Sequence, residues 1–288
     1  MKTMNEFFTN KNKKMLVDGD LLVYKISSAI EQPIDWGNDI WTLSADMSLA
    51  KQMWKQSIAY YLQHTQSKDC IIVFSDKENF RKKIDSFYKS HRKKIRKPVI
   101  YAAMRDWIQE THICGSFPNL EADDTIGIYA TSLYKDNCVL ISGDKDFRTI
   151  PAWQCCIIDD QIEYVDKKLA DKNFCTQVLT GDQADGYKGC QGVGAIKASR
   201  ILLKPKTLDG MWDAVVQEYL RNGYVVDDVY HQARLARILR ADEYNKKVLL
   251  LLDLVIRELQ KFDIQINREV IRDSFLSMPF LDWASAIL

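Results

Sequence analysis

Continuous apolar runs alternate with amphipathic stretches along the first half of the chain. The three apolar runs are residues 15–17, 70–74 and 138–141. The amphipathic stretches lie at roughly residues 45–65, 98–110 and 122–134. A short, continuous apolar run is typical of a strand that is buried on both faces. The alternation therefore predicts an α/β fold in which a mainly parallel sheet is flanked by helices.

The hydrophobic pattern changes in the second half of the chain. After about residue 166 the strand patterns fade, and apolar residues recur at helical spacing, as at residues 235–239 and 248–259. Glycines are dense over residues 181–194, which indicates loops rather than one continuous helix. We therefore predict an α/β core over residues 1–175 and a helical subdomain over residues 176–288.

Acidic residues lie at the ends of the predicted strands and helices and in the glycine-rich stretch. Nine of them stand out by position: Asp18, Asp76, Glu121, Asp123, Asp124, Asp144, Asp146, Asp182 and Asp185. The carboxyl ends of parallel strands meet at one edge of a sheet, so the acids that follow the three predicted strands are expected to lie together. Carboxylates that close repel one another, and a bound cation would offset this repulsion.

The donor types indicate which cation is bound. The acidic motifs contain neither histidine nor cysteine, and oxygen-only sites favour Mg²⁺ or Mn²⁺ over zinc or copper. So many carboxylates fit two ions about 4 Å apart, an arrangement that suits phosphodiester hydrolysis. Taken singly, each acid could simply be a helix N-cap or a turn residue, and the ordered set favours the metal site. Asp20 would point to the other face of a continuing strand, so we interpret it as structural.

A strongly basic segment, residues 77–97, follows Asp76 directly. It holds ten Lys and Arg against two acids, a local charge of +8, and because the whole chain carries +1 the remainder sums to −7. Four aromatic residues lie within or next to the segment: Phe80, Phe87, Tyr88 and Tyr101. Cations that neutralise phosphates and rings that stack on bases are typical of a single-strand nucleic-acid track. A solvated surface helix is the alternative, and the position beside the proposed metal site favours the track.

Composition excludes several classes of protein. Of the 288 residues, 47% are hydrophobic and 27% are charged, which is ordinary for a globular chain and excludes a mainly disordered one. The most apolar run, residues 248–256, is interrupted by Asp253, so no membrane span is predicted. No apolar segment follows the N-terminal lysines, and a cytoplasmic setting is expected. The seven cysteines are scattered and are interpreted as buried hydrophobic residues.

Six motifs in order carry a resemblance to a known family. They are VDGD at 17–20, FSDK at 74–77, YKSHR at 88–92, LEADD at 120–124, SGDKDF at 142–147 and GDQADGYKGCQGVGAIKA at 181–198. Together they resemble the flap endonuclease and 5′→3′ exonuclease superfamily, most of all the 5′→3′ exonucleases of podovirus-type tailed phages. The stretch ARLARILRADEYN at 233–245 also looks like the C-terminal region of the podovirus-type members.

The resemblance implies a PIN-like 5′ nuclease core and two sets of metal ligands. The first acidic group is Asp18, Asp76, Glu121 and Asp123, with Asp124 acting directly or through water. The second acidic group is Asp144, Asp146, Asp182 and Asp185. The resemblance also implies a K⁺ ion at a helix-three-turn-helix over about residues 181–203, held through backbone carbonyls.

The resemblance further assigns the basic segment to a helical arch that admits single-stranded 5′ ends. Lys89 and Arg92 are expected to contact the scissile phosphate, as catalytic residues, and Tyr88 is expected to stack on a base. The expected nucleic-acid contacts are Arg81, Lys82, Lys83, Tyr88, Lys93, Lys94, Gly192, Gly194 and Lys197. The two late glycines would let the backbone approach a phosphate.

The expected function is a Mg²⁺-dependent 5′→3′ exonuclease or flap endonuclease that uses a two-metal mechanism, with Mn²⁺ as a substitute. Its expected partners are DNA with 5′ ends, flaps or nicks and RNA–DNA hybrids, in DNA replication, primer removal or recombination in the cytoplasm of a phage host. Two alternatives stay open. A PIN-type ribonuclease shares the carboxylates but usually lacks the basic arch and glycine turn, and a non-catalytic junction-binding protein would lack carboxylates.

Overall fold

A six-stranded, mainly parallel sheet lies at the centre of the computed structural model, which describes residues 2–244 apart from the side chain of Lys93. Its strands are β1 (Lys14–Asp18), β4 (Asp69–Val73), β5 (Cys114–Gly115), β6 (Cys138–Ser142), β7 (Trp153–Cys156) and β8 (Ile162–Tyr164). The strand order is β5-β4-β1-β6-β7-β8, and only the β7–β8 pair is antiparallel. The helical pattern predicted over 248–259 lies outside the described residues.

The three predicted strands are confirmed as β1, β4 and β6. The central strand β1 pairs in parallel with both others, and Val17 lies opposite Ile72 and Ile141. Alternate residues of β1 face different cores, since Val17 joins the cluster beneath the helices on one face and Leu16 joins the cluster on the other. The shared register places the carboxyl ends of these strands at one edge of the sheet.

The helices of the first half are α1 (Met4–Thr9), α2 (Gly19–Ile30), α3 (Met47–Thr65), α4 (Phe80–Ile84), α5 (Tyr101–Thr111) and α6 (Ala122–Thr131). The amphipathic stretches correspond to α3, α5 and α6. A separate exposed hairpin joins β2 (Gln32–Asp35) to β3 (Trp41–Ser44) between α2 and α3. The hairpin was not predicted, because every residue of its two strands is exposed and leaves no burial pattern.

Helix α2 begins where β1 ends, so the strand does not continue to Asp20. Asp18 caps the helix and accepts a hydrogen bond from the amide of Leu21 at 3.1 Å. Asp20 lies in the first helical turn, where it accepts hydrogen bonds from the Tyr101 hydroxyl and the Ser75 amide, each at 2.7 Å. The expected reason for its structural role was therefore wrong, because the strand ends before Asp20 and because residues two apart on a strand share a face.

Four helices form the described part of the second half: α7 (Lys167–Thr180), α8 (Ala195–Ile201), α9 (Leu208–Arg221) and α10 (Val226–Ala236). They enclose a third apolar cluster, which includes Val178, Val215 and Val229. The predicted domain boundary at residue 175 falls inside α7, and the domain limits stay a prediction. Among residues 2–244, no helix is long and apolar enough to cross a membrane.

Candidate active site

Asp18 and Asp144 meet at the carboxyl edge of the sheet through Ser142. The Ser142 hydroxyl lies 3.0 Å from an oxygen of Asp18, and the amide of Asp144 donates to the same hydroxyl at 3.1 Å. Burial raises the pKa of Asp18 to about 7, although the amide of Leu21 acts to lower it. The ends of β1 and β6 thus hold one member of each acidic group side by side.

Glu121, Asp123 and Asp124 form a compact cluster where α6 begins. Each offers an oxygen, and these three oxygens lie within 4.8 Å of one another. Burial raises the pKa of Asp123 well above its usual value, and the charges of Asp124 and Glu121 raise it further. Burial also acts to raise the pKa of Glu121, but the cations of Lys89 and Arg81 outweigh this effect and hold it at about 2.

Asp76 lies next to this cluster through the loop before α6. Its amide donates to the carbonyl of Leu120 at 2.9 Å, and its carboxylate accepts hydrogen bonds from the amides of Lys77 and Asn119, each at 2.7 Å. These contacts tie the end of the β4 strand to the start of α6. Asp76 is outside the three-residue cluster, and its role as a ligand stays a prediction.

Arg81 was predicted to bind nucleic acid, and this prediction was wrong. Only 1% of the residue is exposed, and its guanidinium makes five hydrogen bonds inside the protein. Both oxygens of Asp124 accept from it, at 2.6 and 2.7 Å, and Glu121 accepts at 3.0 Å. Backbone carbonyls of Leu235 and Arg237 accept the remaining two. No phosphate can reach a guanidinium that is enclosed in this way.

Asp124 is the ion-pair partner of Arg81 and is fully buried. Its carboxylate also accepts the amide of Leu239 at 3.1 Å, so it joins α6 to the segment after α10. The expected contribution of Asp124 to metal binding stays a prediction, since its oxygens are engaged with Arg81.

The basic segment does not form one long helical arch. It contains the five-residue helix α4 and a 3-10 helix, Ser90–Lys94, which includes Lys93 and Lys94. The segment lies against both acidic groups. The ammonium of Lys89 is 2.8 Å from Glu121 and 3.5 Å from Asp185, and the guanidinium of Arg92 is 2.9 Å from Asp185.

Tyr88 was expected to stack on a base, and this expectation was wrong. The residue is 2% exposed, so its ring faces the protein interior. Its hydroxyl lies 2.9 Å from Glu121 and 3.2 Å from Asp185, and it therefore joins the two acidic groups from the protein side. Of the other predicted contacts in this segment, Lys82 is exposed, and Lys83 is exposed and donates to the Asn119 side chain.

The second acidic group surrounds the 3-10 helix Lys145–Thr149. Asp144 caps this helix by accepting the amide of Asp146 at 2.9 Å. Burial raises the pKa of Asp146 to about 7, and the charges of Asp144, Asp185 and Asp182 raise it further. The four acids are therefore close enough to act on one another electrostatically.

Lys145 was not predicted as a site residue. Its ammonium lies 2.7 Å from Asp182, and this ion pair raises the pKa of Lys145. Burial acts to raise the pKa of Asp182, but the hydrogen bond and charge of Lys145, together with the amides of Ala184 and Asp185, outweigh burial and lower that pKa. The sequence did contain a signal for this role, because Lys145 lies between two predicted metal ligands in the stretch SGDKDF.

The glycine-rich loop between α7 and α8 contains Asp182 and Asp185. Gly192 has a φ of +73°, Gly194 precedes α8, and a Cβ at either position would meet no atom within 4 Å. The ammonium of Lys197 lies 2.6 Å from Glu218 on α9, and its side chain stays 46% exposed. The helix–loop–helix is consistent with the expected helix-three-turn-helix, and its nucleic-acid contacts stay predictions.

The donor set fits divalent cations. Burial raises the pKa of three of these carboxylates: Asp18 and Asp123 in the first acidic group and Asp146 in the second. Ionised carboxylates that are buried and mutually repulsive are destabilising on their own, and hard divalent cations bind such all-oxygen sites.

Known proteins resemble this chain in sequence and in fold. Residues 13–178 match the family described as 5′-3′ exonuclease, N-terminal resolvase-like domain. The exonuclease of Escherichia phage T7 and the exodeoxyribonuclease of Enterobacteria phage T3 are each 30% identical over 273 residues, covering 80% of this chain and 89% of the relative. The flap endonuclease Xni of Shewanella denitrificans is 28% identical, covering 71% of this chain and 82% of the relative.

A solved structure agrees with these sequence matches. The flap endonuclease of bacteriophage T5, in a complex with DNA and metal ions, superposes with a TM-score of 0.64. It is 15% identical and covers 86% of this chain and 99% of the T5 protein, so it shows a shared fold. The predicted PIN-like α/β core is confirmed, and the chain belongs to the 5′–3′ exonuclease family.

Proposed function

We propose that this protein is a Mg²⁺-dependent 5′→3′ exonuclease and flap endonuclease that hydrolyses phosphodiester bonds near the 5′ ends of DNA. One observation carries the proposal: two groups of carboxylates lie at the same edge of the sheet, and Lys89 contacts both, through Glu121 and Asp185. Buried acids beside basic side chains suit a reaction in which metal ions and a phosphate meet.

The first acidic group would hold one divalent ion and the second acidic group another. When bound, such ions activate water and stabilise the negative charge that develops on a phosphate. Mg²⁺ is the proposed ion because every donor is an oxygen, and Mn²⁺ would substitute. Tyr88 would contribute from the buried side of the site, where its hydroxyl contacts both Glu121 and Asp185 and so would help to fix the distance between the two acidic groups.

Lys89 and Arg92 would bind the scissile phosphate. Both are already held against the carboxylates, Lys89 at Glu121 and Arg92 at Asp185. The guanidinium of Arg92 is half exposed and presents a planar donor that suits two phosphate oxygens. Cations placed where charge develops lower the barrier without reorganisation.

The loop between α7 and α8 would hold the duplex part of the substrate. Open space around Gly192 and Gly194 lets a phosphate approach the backbone, and Lys197 would add a contact. A K⁺ ion bound to carbonyls of this loop would add positive charge there. The proposed substrates are DNA with 5′ ends, flaps or nicks and RNA–DNA hybrids, in replication, primer removal or recombination in a host cytoplasm.

A substrate comparison tests the proposal. Wild-type protein and Asp144→Ala are incubated with Mg²⁺ and a 5′-flapped duplex, a nicked duplex, an RNA–DNA hybrid or single-stranded RNA. We expect the wild type to cut the first three faster than single-stranded RNA, and Asp144→Ala to bind the flapped duplex without cutting. Preferential cleavage of single-stranded RNA would instead indicate the PIN-type ribonuclease, and retained cutting by the variant would contradict the metal assignment.

A further inference from the structure

The aromatic residues of the basic segment and its C-terminal flank differ sharply in exposure. Phe80, Tyr88 and Tyr101 are 9%, 2% and 5% exposed, whereas Phe87 is 73% exposed. Phe87 directly precedes Tyr88, whose hydroxyl contacts Glu121 and Asp185. The Cα atom of Phe87 is therefore only about 3.8 Å from that of Tyr88, which contacts both acidic groups.

The backbone that carries Phe87 is fixed on both sides. Its amide donates to the Asp85 carboxylate at 2.8 Å, and its carbonyl accepts the amide of Ser90 at 3.0 Å. Two residues further, the amide of Lys89 donates to the carbonyl of Asp185 at 2.8 Å. A single exposed apolar side chain is ordinary on a protein surface, but this one stands on a turn held by several hydrogen bonds and by the buried Tyr88 ring.

The same turn packs directly against the loop that carries Asp182 and Asp185 of the second acidic group. Gly186, which follows Asp185, has a φ of +85°, and a Cβ there would lie 3.0 Å from the carbonyl oxygen of Phe87. This close approach sets the position of Phe87 relative to the proposed metal ligands. The backbone that carries the exposed ring is therefore held next to Asp185.

Exposed cations share the segment with Phe87. They include Lys77, Lys82, Lys83, Arg92, Lys94 and Lys97. Cations that follow a phosphate backbone together with a ring that stacks on bases characterise sites for single-stranded nucleic acid. Because the other three aromatic residues are buried, Phe87 is the ring of this set that a base can reach.

We propose that Phe87 is the base-stacking residue of the basic segment and takes an unpaired nucleobase of the 5′ strand, close to the phosphate that Lys89 and Arg92 would bind. The inference rests on the proposed function. The placement fits, because Phe87 and Lys89, a proposed phosphate ligand, belong to the same turn, which the hydrogen bond from the Ser90 amide to the Phe87 carbonyl closes. Stacking on a phenyl ring does not depend on base identity, so this contact favours unpaired strands without selecting a sequence.

The test compares Phe87→Ala, Phe87→Leu and Phe87→Trp. Affinity is measured in an Asp144→Ala background, on a duplex with a single-stranded 5′ flap and on a nicked duplex without a flap. The flap carries 2-aminopurine near the junction, and its fluorescence falls when the base stacks. The matched control is Lys82→Ala, an exposed cation of the same segment.

We expect Phe87→Ala and Phe87→Leu to bind the flapped duplex about 5- to 100-fold more weakly and to lose the fluorescence quenching, since stacking on one base accounts for a change of this order. Phe87→Trp should retain both, and none of the three should alter binding to the nicked duplex. Lys82→Ala should weaken binding to both substrates and keep the quenching. Because Phe87 is exposed, the melting temperatures should stay unchanged.

Wild-type affinity and quenching in Phe87→Ala would overturn the inference, and so would full recovery by Phe87→Leu, which would indicate simple apolar contact. Cleavage by protein with Asp144 intact separates this failure from failure of the proposed function. If that protein cuts 5′-flapped DNA while Phe87→Ala behaves as wild type, the function stands and the role of Phe87 falls. If it does not cut, the proposed function itself fails.

Discussion

Replacing Arg81 tests whether its guanidinium is structural. Arg81→Met keeps most of the side-chain volume but removes all five hydrogen bonds, and it leaves the buried carboxylate of Asp124 without its cation. Removing one partner of a buried ion pair costs about 3–5 kcal/mol. Loss of the donors to the carbonyls of Leu235 and Arg237 adds to this figure. Because domains have only about 5–15 kcal/mol of stability, a large share should be lost.

The companion variant is Arg81→Lys, which keeps the positive charge. An ammonium has three donors where the guanidinium has five, so at least two hydrogen bonds are lost. Since hydrogen bonds to charged groups contribute about 1.5–3 kcal/mol each, the loss of two should cost about 3–6 kcal/mol. The double variant Arg81→Met with Asp124→Leu should be more stable than Arg81→Met alone, because no buried charge then lacks a partner.

Urea unfolding followed by circular dichroism measures these free energies, and fluorescence anisotropy measures DNA affinity. Lys82→Met is the control, since Lys82 is the exposed neighbour of Arg81. It should leave stability within about 0.5 kcal/mol and weaken DNA binding. If Arg81→Met behaved in the same way, with unchanged stability and weaker binding, Arg81 would be a nucleic-acid contact after all and the structural account would be refuted.

Three further predictions follow from the site. Arg92→Ala should lower kcat about 10²- to 10³-fold in single- and multiple-turnover cleavage and change KM little, and a loss confined to affinity would make Arg92 a positioning contact. Burial raises the pKa values of Asp18 and Asp146 to about 7, above their unfolded value of 3.8, so their contribution to stability is full below pH 3.8 and is lost as the pH rises through 7. Mg²⁺ should therefore raise the melting temperature, relative to EDTA, little at pH 5.5 and strongly at pH 8, and an equal shift at both pH values would count against metal binding there. Gly194 has an ordinary φ, so Gly194→Ala should weaken binding to a nicked duplex without changing stability. Gly192 has a φ of +73°, so Gly192→Ala should weaken the same binding and also destabilise the protein by about 1–2 kcal/mol. Unchanged binding in both variants would refute the close approach of a phosphate to this loop.

The sheet could be predicted from sequence because its central strands are buried on both faces. β1, β4 and β6 each contain a continuous apolar run, and the amphipathic stretches between these runs indicated strands joined by crossover helices. Helix α2 could not be separated from β1, because Asp18 both ends the strand and caps the helix. The β2–β3 hairpin escaped prediction because neither strand has a buried face. Burial of the side chains, rather than β-propensity, therefore decided which strands could be predicted from the sequence.

The acidic edge could also be anticipated, since acids follow the predicted strands. Side-chain direction within the basic segment could not. The sequence predicted Arg81 and Tyr88 as exposed nucleic-acid contacts, yet both are buried. Arg81 pairs with the buried carboxylate of Asp124, and the Tyr88 hydroxyl contacts two acids that are distant in sequence. Local sequence carries no information on such distant partners, which lie 33 to 97 residues away.

The central claim is that the two acidic groups bind divalent ions with which the protein cuts near 5′ ends. The most direct test incubates the protein with a 5′-labelled flapped DNA duplex, in Mg²⁺ and separately in EDTA, and sizes the products on a denaturing gel. We expect short labelled products in Mg²⁺ and none in EDTA, and product lengths would separate exonuclease from flap cutting. Binding without cleavage in Mg²⁺, or equal cleavage in EDTA, would contradict the claim.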